Sequence, residues 1–273
     1  MKKSVAALFI VFLFVISYSA QSKVTKNSSK TPNDFAKRLE KKLPALIKVA
    51  GVPGMSIAVI KNGQISWTGN FGVKNSKTNE PVAGDTIFEG ASLTKPVAAY
   101  AIFRLVDAGK IDLDTPLNKY LGNNYDVGDD ERLNLITARR VLSHTSGFPN
   151  WRNRGSKTLP INFTPGERFR YSGEGFVYLS KVAEKITGIE FGQFVKQTVL
   201  EPLGMTNSSI DWEKKFYTTK VFNHDSLSVP RGQNAEKGVN AAASLHTTAT
   251  DYAKFVIAVL EGQGLKNETR ELM

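Results

Sequence analysis

The chain has 273 residues, 41% hydrophobic and 22% charged, with 36 Lys and Arg against 25 Asp and Glu and a formal charge of +11. That apolar content supports a sizeable core and excludes a disordered, collagenous or disulfide-stapled protein. With no cysteine there is no thiolate nucleophile, no Cys-ligated zinc and no lipid anchor on a cysteine.

His144, His224 and His246 stand far apart and form no H-E-x-x-H or H-x-H cluster, which argues against a metallohydrolase. The basic residues are scattered, without the aromatic-interleaved stripe of a nucleic-acid binder, and read as a solvated surface.

In chain order, Met1-Lys2-Lys3 is a short basic start, and Val5 to Ile16 is uninterrupted apolar sequence. Small residues are frequent in the following stretch to Ser22. This is the pattern of a secretory signal peptide over 1–22, and it predicts an exported, periplasmic or extracellular protein. The apolar run is short against the roughly 20 residues that span a bilayer, and no later run is long enough. No membrane span is therefore expected after cleavage.

Residues 23–32 read as a flexible polar leader. Pro32 and Asn33 then open an amphipathic helix to about Ala50, with Phe35, Leu39, Leu43 and Leu46 or Ile47 on one face and Gly51 as its stop. Met55 to Lys61 and Gln64 to Val73 read as two strands joined at Asn62-Gly63, a pair that tolerates the positive φ of a tight hairpin. A short strand is expected near Thr86 to Phe88, and a helix over Ser92 to Ala108, stopped by Gly109. Further helices are expected over Ile136–Ser143, Gly173–Thr187, Phe191–Leu200 and Thr250–Leu260. Trp212 to Gly238 is polar and poorly periodic and reads as long loops. The expected architecture is α+β, with its strands gathered toward the N-terminal end.

Ser92-Leu93-Thr94-Lys95 places serine and lysine three residues apart at a helix start, and no other serine in the chain has lysine at that spacing. Positions i and i+3 share a helix face, so Lys95 can reach the Ser92 hydroxyl, and the helix dipole favours negative charge developing there. A hydroxyl is a poor nucleophile until a neighbouring base takes its proton, and a partly desolvated lysine can serve. An ordinary N-capping serine would carry the same signature. Tyr171 follows a Thr164-Pro165-Gly166 turn and precedes a helix. Nearby positive charge would make its phenolate a general base, whereas a packed tyrosine would only satisfy its hydroxyl.

These blocks resemble the serine β-lactamase and penicillin-binding-protein superfamily, especially its class C-like branch. The resemblance rests on Phe88-Glu89-Gly90-Ala91-Ser92-Leu93-Thr94-Lys95-Pro96, Leu142-Ser143-His144-Thr145-Ser146-Gly147, Pro165-Gly166-Glu167-Arg168-Phe169-Arg170-Tyr171-Ser172, Thr187-Gly188 and Glu201-Pro202-Leu203-Gly204-Met205, in the family's order. It extends from about Asn33 to the end of the chain. It implies a β-lactamase/transpeptidase-like fold over 33–273, an antiparallel sheet flanked by helices beside a mainly helical subdomain. By the same resemblance Ser92 is the acylated nucleophile, Lys95 its proton partner and Tyr171 the residue in the general base's place. Lysine, tyrosine or the pair remains open as the proton acceptor. The His144 block reads as a structural turn beneath the site, since a Ser-His-Asp hydrolase of the common kind would show G-x-S-x-G, which is absent.

Two departures stand out. Gly173 occupies the asparagine position of the family's Y-x-N element, and no Lys-Thr-Gly or His-x-Gly follows Tyr171. The second departure predicts a C-terminally incomplete copy, lacking late strands of the sheet. An oxyanion hole short of one donor loses on the order of 100- to 1,000-fold in rate.

The leading expectation is an exported serine hydrolase acting on a D-Ala-D-Ala-type peptide of peptidoglycan, a β-lactam or a small ester, with no cofactor, no metal and no nucleic-acid partner. The alternative is a non-catalytic cell-envelope binding protein, or a degenerate fragment, that keeps the fold and cleft. The sequence is silent on oligomeric state.

Overall fold

A computed structural model describes residues 32–122, 125–153, 155–233 and 238–273. The signal peptide and most of the leader expected from the sequence lie outside the described residues.

Helix α1 (Pro32–Val49) lays Leu39, Leu43 and Ile47, spaced four apart, toward the protein and leaves Phe35 and Leu46 largely exposed. Strands β1 (Gly54–Lys61) and β2 (Gln64–Asn75) pair antiparallel from Gly54 opposite Gly72 to Lys61 opposite Gln64. Asn62 and Gly63 close the hairpin at φ +51° and +71°, the left-handed region that the turn requires. The short β3 (Glu80–Pro81) adds to the β2 edge. Helix α1 and the late helix α8 (Ala249–Glu261) pack against this hairpin.

Strand β4 (Phe88–Ala91) leads into α2 (Thr94–Asp107), the central helix, whose Val97, Ala98, Tyr100, Ala101, Ile102 and Leu105 are all buried. Burial on several sides marks it as a core helix, and each large apolar side chain it hides contributes about 1.5–3 kcal/mol. Short helices α3 (Asn118–Leu121) and α4 (Ala138–Leu142) follow, then α5 (Glu174–Thr187) and α6 (Phe191–Val195), which a π-helical stretch continues over Lys196–Leu200. Helices α2, α5 and α6 pack on one another and form the helical side of the molecule. The rest is α7 (Phe216–Thr219), strands β5 (Asn223–His224), β6 (Pro230–Gly232) and β7 (Leu245–Thr247), α8, and α9 (Asn267–Leu272). The chain is thus α+β, with helices flanking an antiparallel sheet beside a helical layer. Among the described residues no helix is long and apolar enough to cross a membrane.

The structure differs from the sequence reading in three places. The span 212–238 is not all loop: it holds α7 and the β5–β6 pair, built by turn chemistry rather than periodicity. There the Asp225 carboxylate accepts from the backbone N–H groups of Leu227 and Val229, each at 2.9 Å. The strand expected at Thr86–Phe88 instead runs Phe88–Ala91, because Glu89 and, past a bulge at Gly90, Ala91 pair across to β7 instead of turning away. That pairing also corrects the expectation that the strands gather near the N-terminus, since β7 arrives more than 150 residues later than β4. Helix α2 begins at Thr94, two residues after Ser92, for a reason that belongs to the site.

Candidate active site

Strand β4 delivers Ser92. Ala91 pairs with Leu245 of β7 and then takes φ +43°, a left-handed conformation that costs a non-glycine residue about 1–2 kcal/mol. The chain reverses through Ser92-Leu93, with Leu93 N–H donating to the Gly90 carbonyl at 2.9 Å, before α2 starts. The fully buried Thr94 hydroxyl holds this turn. It donates to the Ala91 carbonyl at 2.5 Å and accepts from Leu245 N–H at 2.8 Å. Ser92 is thereby held out, exposed, at the mouth of the helix.

Lys95, only 5% exposed, reaches back from the first turn. Its Nζ donates to Ser92 Oγ at 3.2 Å and to the Ala242 carbonyl at 2.9 Å, and lies 4.6 Å from the centre of the Tyr171 ring. The three residues singled out in the sequence, Ser92, Lys95 and Tyr171, therefore meet around one ammonium. Burial pushes the Tyr171 phenol up. Hydrogen bonds with Lys95 and Ser92 and the Lys95 charge outweigh it, so the phenol titrates below its ordinary range. Such a phenol gives up its proton more readily and can take one from a neighbouring hydroxyl.

His144 stands behind Tyr171. Its backbone is left-handed at φ +57°, its carbonyl accepts from Arg170 N–H at 2.8 Å, and its Nδ1 accepts from Ser172 N–H at 3.1 Å. The imidazole centre lies 4.5 Å from that of Tyr171, with the rings 34° apart. Because Nδ1 accepts, the neutral ring carries its proton on Nε2. Burial first, then the Lys95 charge, holds its pKa below the usual imidazole value. The turn expected beneath the site thus grips both residues that flank Tyr171.

A second grip comes from the loop before. The buried Ser172 hydroxyl donates to the Pro149 carbonyl and accepts from Gly175 N–H, both at 2.9 Å. The Asn150 carbonyl accepts from Gly173 N–H at 3.0 Å and Glu174 N–H at 3.1 Å, supplying partners to the first turn of α5. Arg152 closes the set: its guanidinium meets Glu174 Oε2 at 3.0 Å, and its backbone N–H donates to Glu174 Oε1 at 3.1 Å. This close approach explains Gly173. A Cβ there would lie 2.7 Å from the Asn150 oxygen and 3.0 Å from two atoms of the Trp151 ring.

Beside Ser92 opens a cleft of about 410 Å³, walled by Ala91, Trp151, Trp212, Asn240, Ala243 and Ser244. Sequence reasoning did not find Trp151, Trp212 or the Ala242 carbonyl. The tryptophans belong to no motif, and a backbone carbonyl has no side-chain signature.

The Beta-lactamase family model matches residues 37–273, most of the chain. The protein belongs to the β-lactamase family. Esterase EstB of Burkholderia gladioli is 27% identical over 198 residues, covering 63% of this chain and 50% of the relative. An octameric penicillin-binding protein homologue from Pyrococcus abyssi superposes with TM-score 0.73 at 26% identity, over 86% of this chain and 59% of that one. A D-alanine carboxypeptidase AmpC from Burkholderia cenocepacia, at 21% identity, shares the fold with TM-score 0.74 over 89% of this chain and 69% of its own. The chain spans about half the length of the curated relatives it matches. The fold of this β-lactamase-family chain is therefore the β-lactamase/transpeptidase-like α+β fold that its motifs imply.

Proposed function

We propose that the chain is the catalytic part of an exported serine hydrolase working through an acyl-enzyme on Ser92. The observation that carries the reading is the single Lys95 ammonium, which touches the Ser92 hydroxyl and faces Tyr171. In the proposed reaction Ser92 Oγ attacks the acyl carbonyl while its proton passes to the Tyr171–Lys95 pair. The bond from the carbonyl carbon to the leaving alcohol or amine then breaks, and the same pair returns the proton to the leaving group. Water, giving its proton to the pair, then attacks the acyl carbon, the bond to Ser92 Oγ breaks, and the pair returns that proton to Oγ as the acid leaves. Lys95, itself buried, supplies positive charge beside the phenol. The acyl donors that suit this chemistry are a small ester, a β-lactam and a D-Ala-D-Ala-type peptide. The similarity to an esterase and to penicillin-binding and carboxypeptidase proteins supports that range.

The test is the intact mass of the purified chain after incubation with a fluorophosphonate or a β-lactam, beside Ser92→Ala. One adduct, absent from the variant, is the expected result. A folded chain that takes no adduct at Ser92 refutes the proposal and leaves a binding module that keeps the cleft. Export rests on the basic and apolar start of the sequence, and a retained residue 1 on protein recovered outside the cytoplasm would refute cleavage.

A further inference from the structure

We propose that the cleft beside Ser92 receives the acyl part of the substrate, and that Trp151 and Trp212 select acyl groups bearing a flat apolar ring, such as an arylacetyl ester. The proposal rests on the acyl-enzyme reading above for its chemistry, but not for its binding surface.

The cleft begins at Ala91, the residue before the nucleophile, so a group attached to Ser92 has this space beside it. Its volume, about 410 Å³, lies within the range of small-molecule sites. Trp151 is 46% exposed and leans on the bare Cα of Gly173, taking the space a side chain there would need. Position 173 therefore offers a substrate no amide or hydroxyl, and an aromatic ring stands beside it. Trp212 is fixed edge-on against Phe216, Tyr217 and His246, at ring separations of 5.6, 5.2 and 5.6 Å.

Several polar groups of the wall are engaged within the protein. Glu89 pairs with the buried Lys220 at 3.6 Å, and Ser244 Oγ donates to the Ile210 carbonyl at 2.7 Å. The Asn240 side-chain oxygen accepts from Ala242 N–H at 2.8 Å. Two indoles stand in that wall, and a flat apolar ring gains more from their faces than an amide, which must give up water for acceptors already taken.

The test compares p-nitrophenyl phenylacetate with p-nitrophenyl acetate on the purified 273-residue chain, following p-nitrophenolate release and correcting each for its spontaneous hydrolysis. The leaving group is common, so the ratio of kcat/KM reports the acyl group alone. The phenylacetyl ester should be favoured about tenfold or more. Trp151→Ala should bring the ratio toward one, and Trp151→Phe should keep most of it.

A ratio near one in the parent, or an unchanged ratio in Trp151→Ala, overturns the proposal. A second arm uses Ser92→Ala and titrates phenylacetate against tryptophan fluorescence. Saturable quenching that Trp151→Ala abolishes supports the cleft assignment even if no ester is turned over, in which case only the acyl-enzyme reading fails. Absence of saturable quenching together with absence of acyl preference overturns the cleft assignment itself.

Discussion

Replacing Gly173 by asparagine should destabilise the protein without making it more reactive. The new Cβ would lie 2.7 Å from the Asn150 carbonyl oxygen and 3.0 Å from two atoms of the Trp151 ring. The ring is half exposed and can swing, but the carbonyl cannot retreat without loosening its hydrogen bonds from Gly173 and Glu174 N–H. Overpacking of this kind costs about 1–3 kcal/mol, and a weakened hydrogen bond adds about 1 kcal/mol. Gly173 has φ −83°, so a side chain also restricts the unfolded state and returns about 0.4–1 kcal/mol.

The net loss is about 1–3 kcal/mol, and for a domain of this size each kcal/mol lowers Tm by about 2–4 °C. Thermal melts followed by circular dichroism should therefore show a fall of roughly 2–12 °C. Gly173→Ala should share most of it, because the Cβ is the offending atom. Adding Trp151→Ala to Gly173→Asn should recover only the part due to the ring. A Gly173→Asn protein melting within about 1 °C of the parent would refute the reasoning.

Other outcomes are expected from the same geometry. Thr94→Val leaves the Ala91 carbonyl and Leu245 N–H without their shared hydroxyl, and should cost about 1–3 kcal/mol in urea unfolding. It should also slow adduct formation at Ser92, because the turn that presents the serine loosens. His144→Phe keeps an aromatic ring but removes the acceptor for Ser172 N–H, and should slow probe addition at Ser92. His144→Asn, which supplies an acceptor and tolerates the left-handed backbone, should recover part of the rate, and equal rates in the two variants would refute the positioning role.

Since the folded-state pKa of His144 lies below 6.5, its unfolded form binds a proton first as pH falls. Stability from this group should be complete above pH 6.5 and decline below it, and His144→Asn should flatten that slope in melts. Reactivity of Ser92 should rise with pH as the Tyr171 phenol ionises, with its midpoint below 10, and Tyr171→Phe should remove the rise.

How far the sequence could be read depends on what each feature is made of. The hairpin was legible because Asn62-Gly63 names its own turn, and α2 and α5 because their apolar spacing is long and regular. Ser92, Lys95 and Tyr171 stood out through the motif blocks of the family resemblance, because serine and lysine three apart, or a tyrosine after a turn, is by itself an ordinary arrangement. The start of α2 was misplaced because a left-handed alanine has no signature, and β4 because its partner β7 is remote in sequence. The cleft was not legible at all. Trp151 and Trp212 are single residues brought near Ser92 only by tertiary packing, and in sequence Gly173 is only a missing amide, whereas in the fold Asn150 and Trp151 fill its place.

The bonds that tie residues 149–152 to residues 172–174 have a mechanical consequence. One strip of chain bears the indole that would judge a substrate, and the other follows directly on Tyr171, whose phenol would receive the Ser92 proton. Bound as they are, the two move as a single jaw. A change that reshapes the acyl wall by shifting the Trp151 backbone also re-aims Tyr171, whereas a change confined to the Trp151 side chain leaves the phenol in place. New substrate ranges should therefore be reached through side-chain exchanges at position 151, and insertions or deletions in that loop should cost turnover on every substrate together.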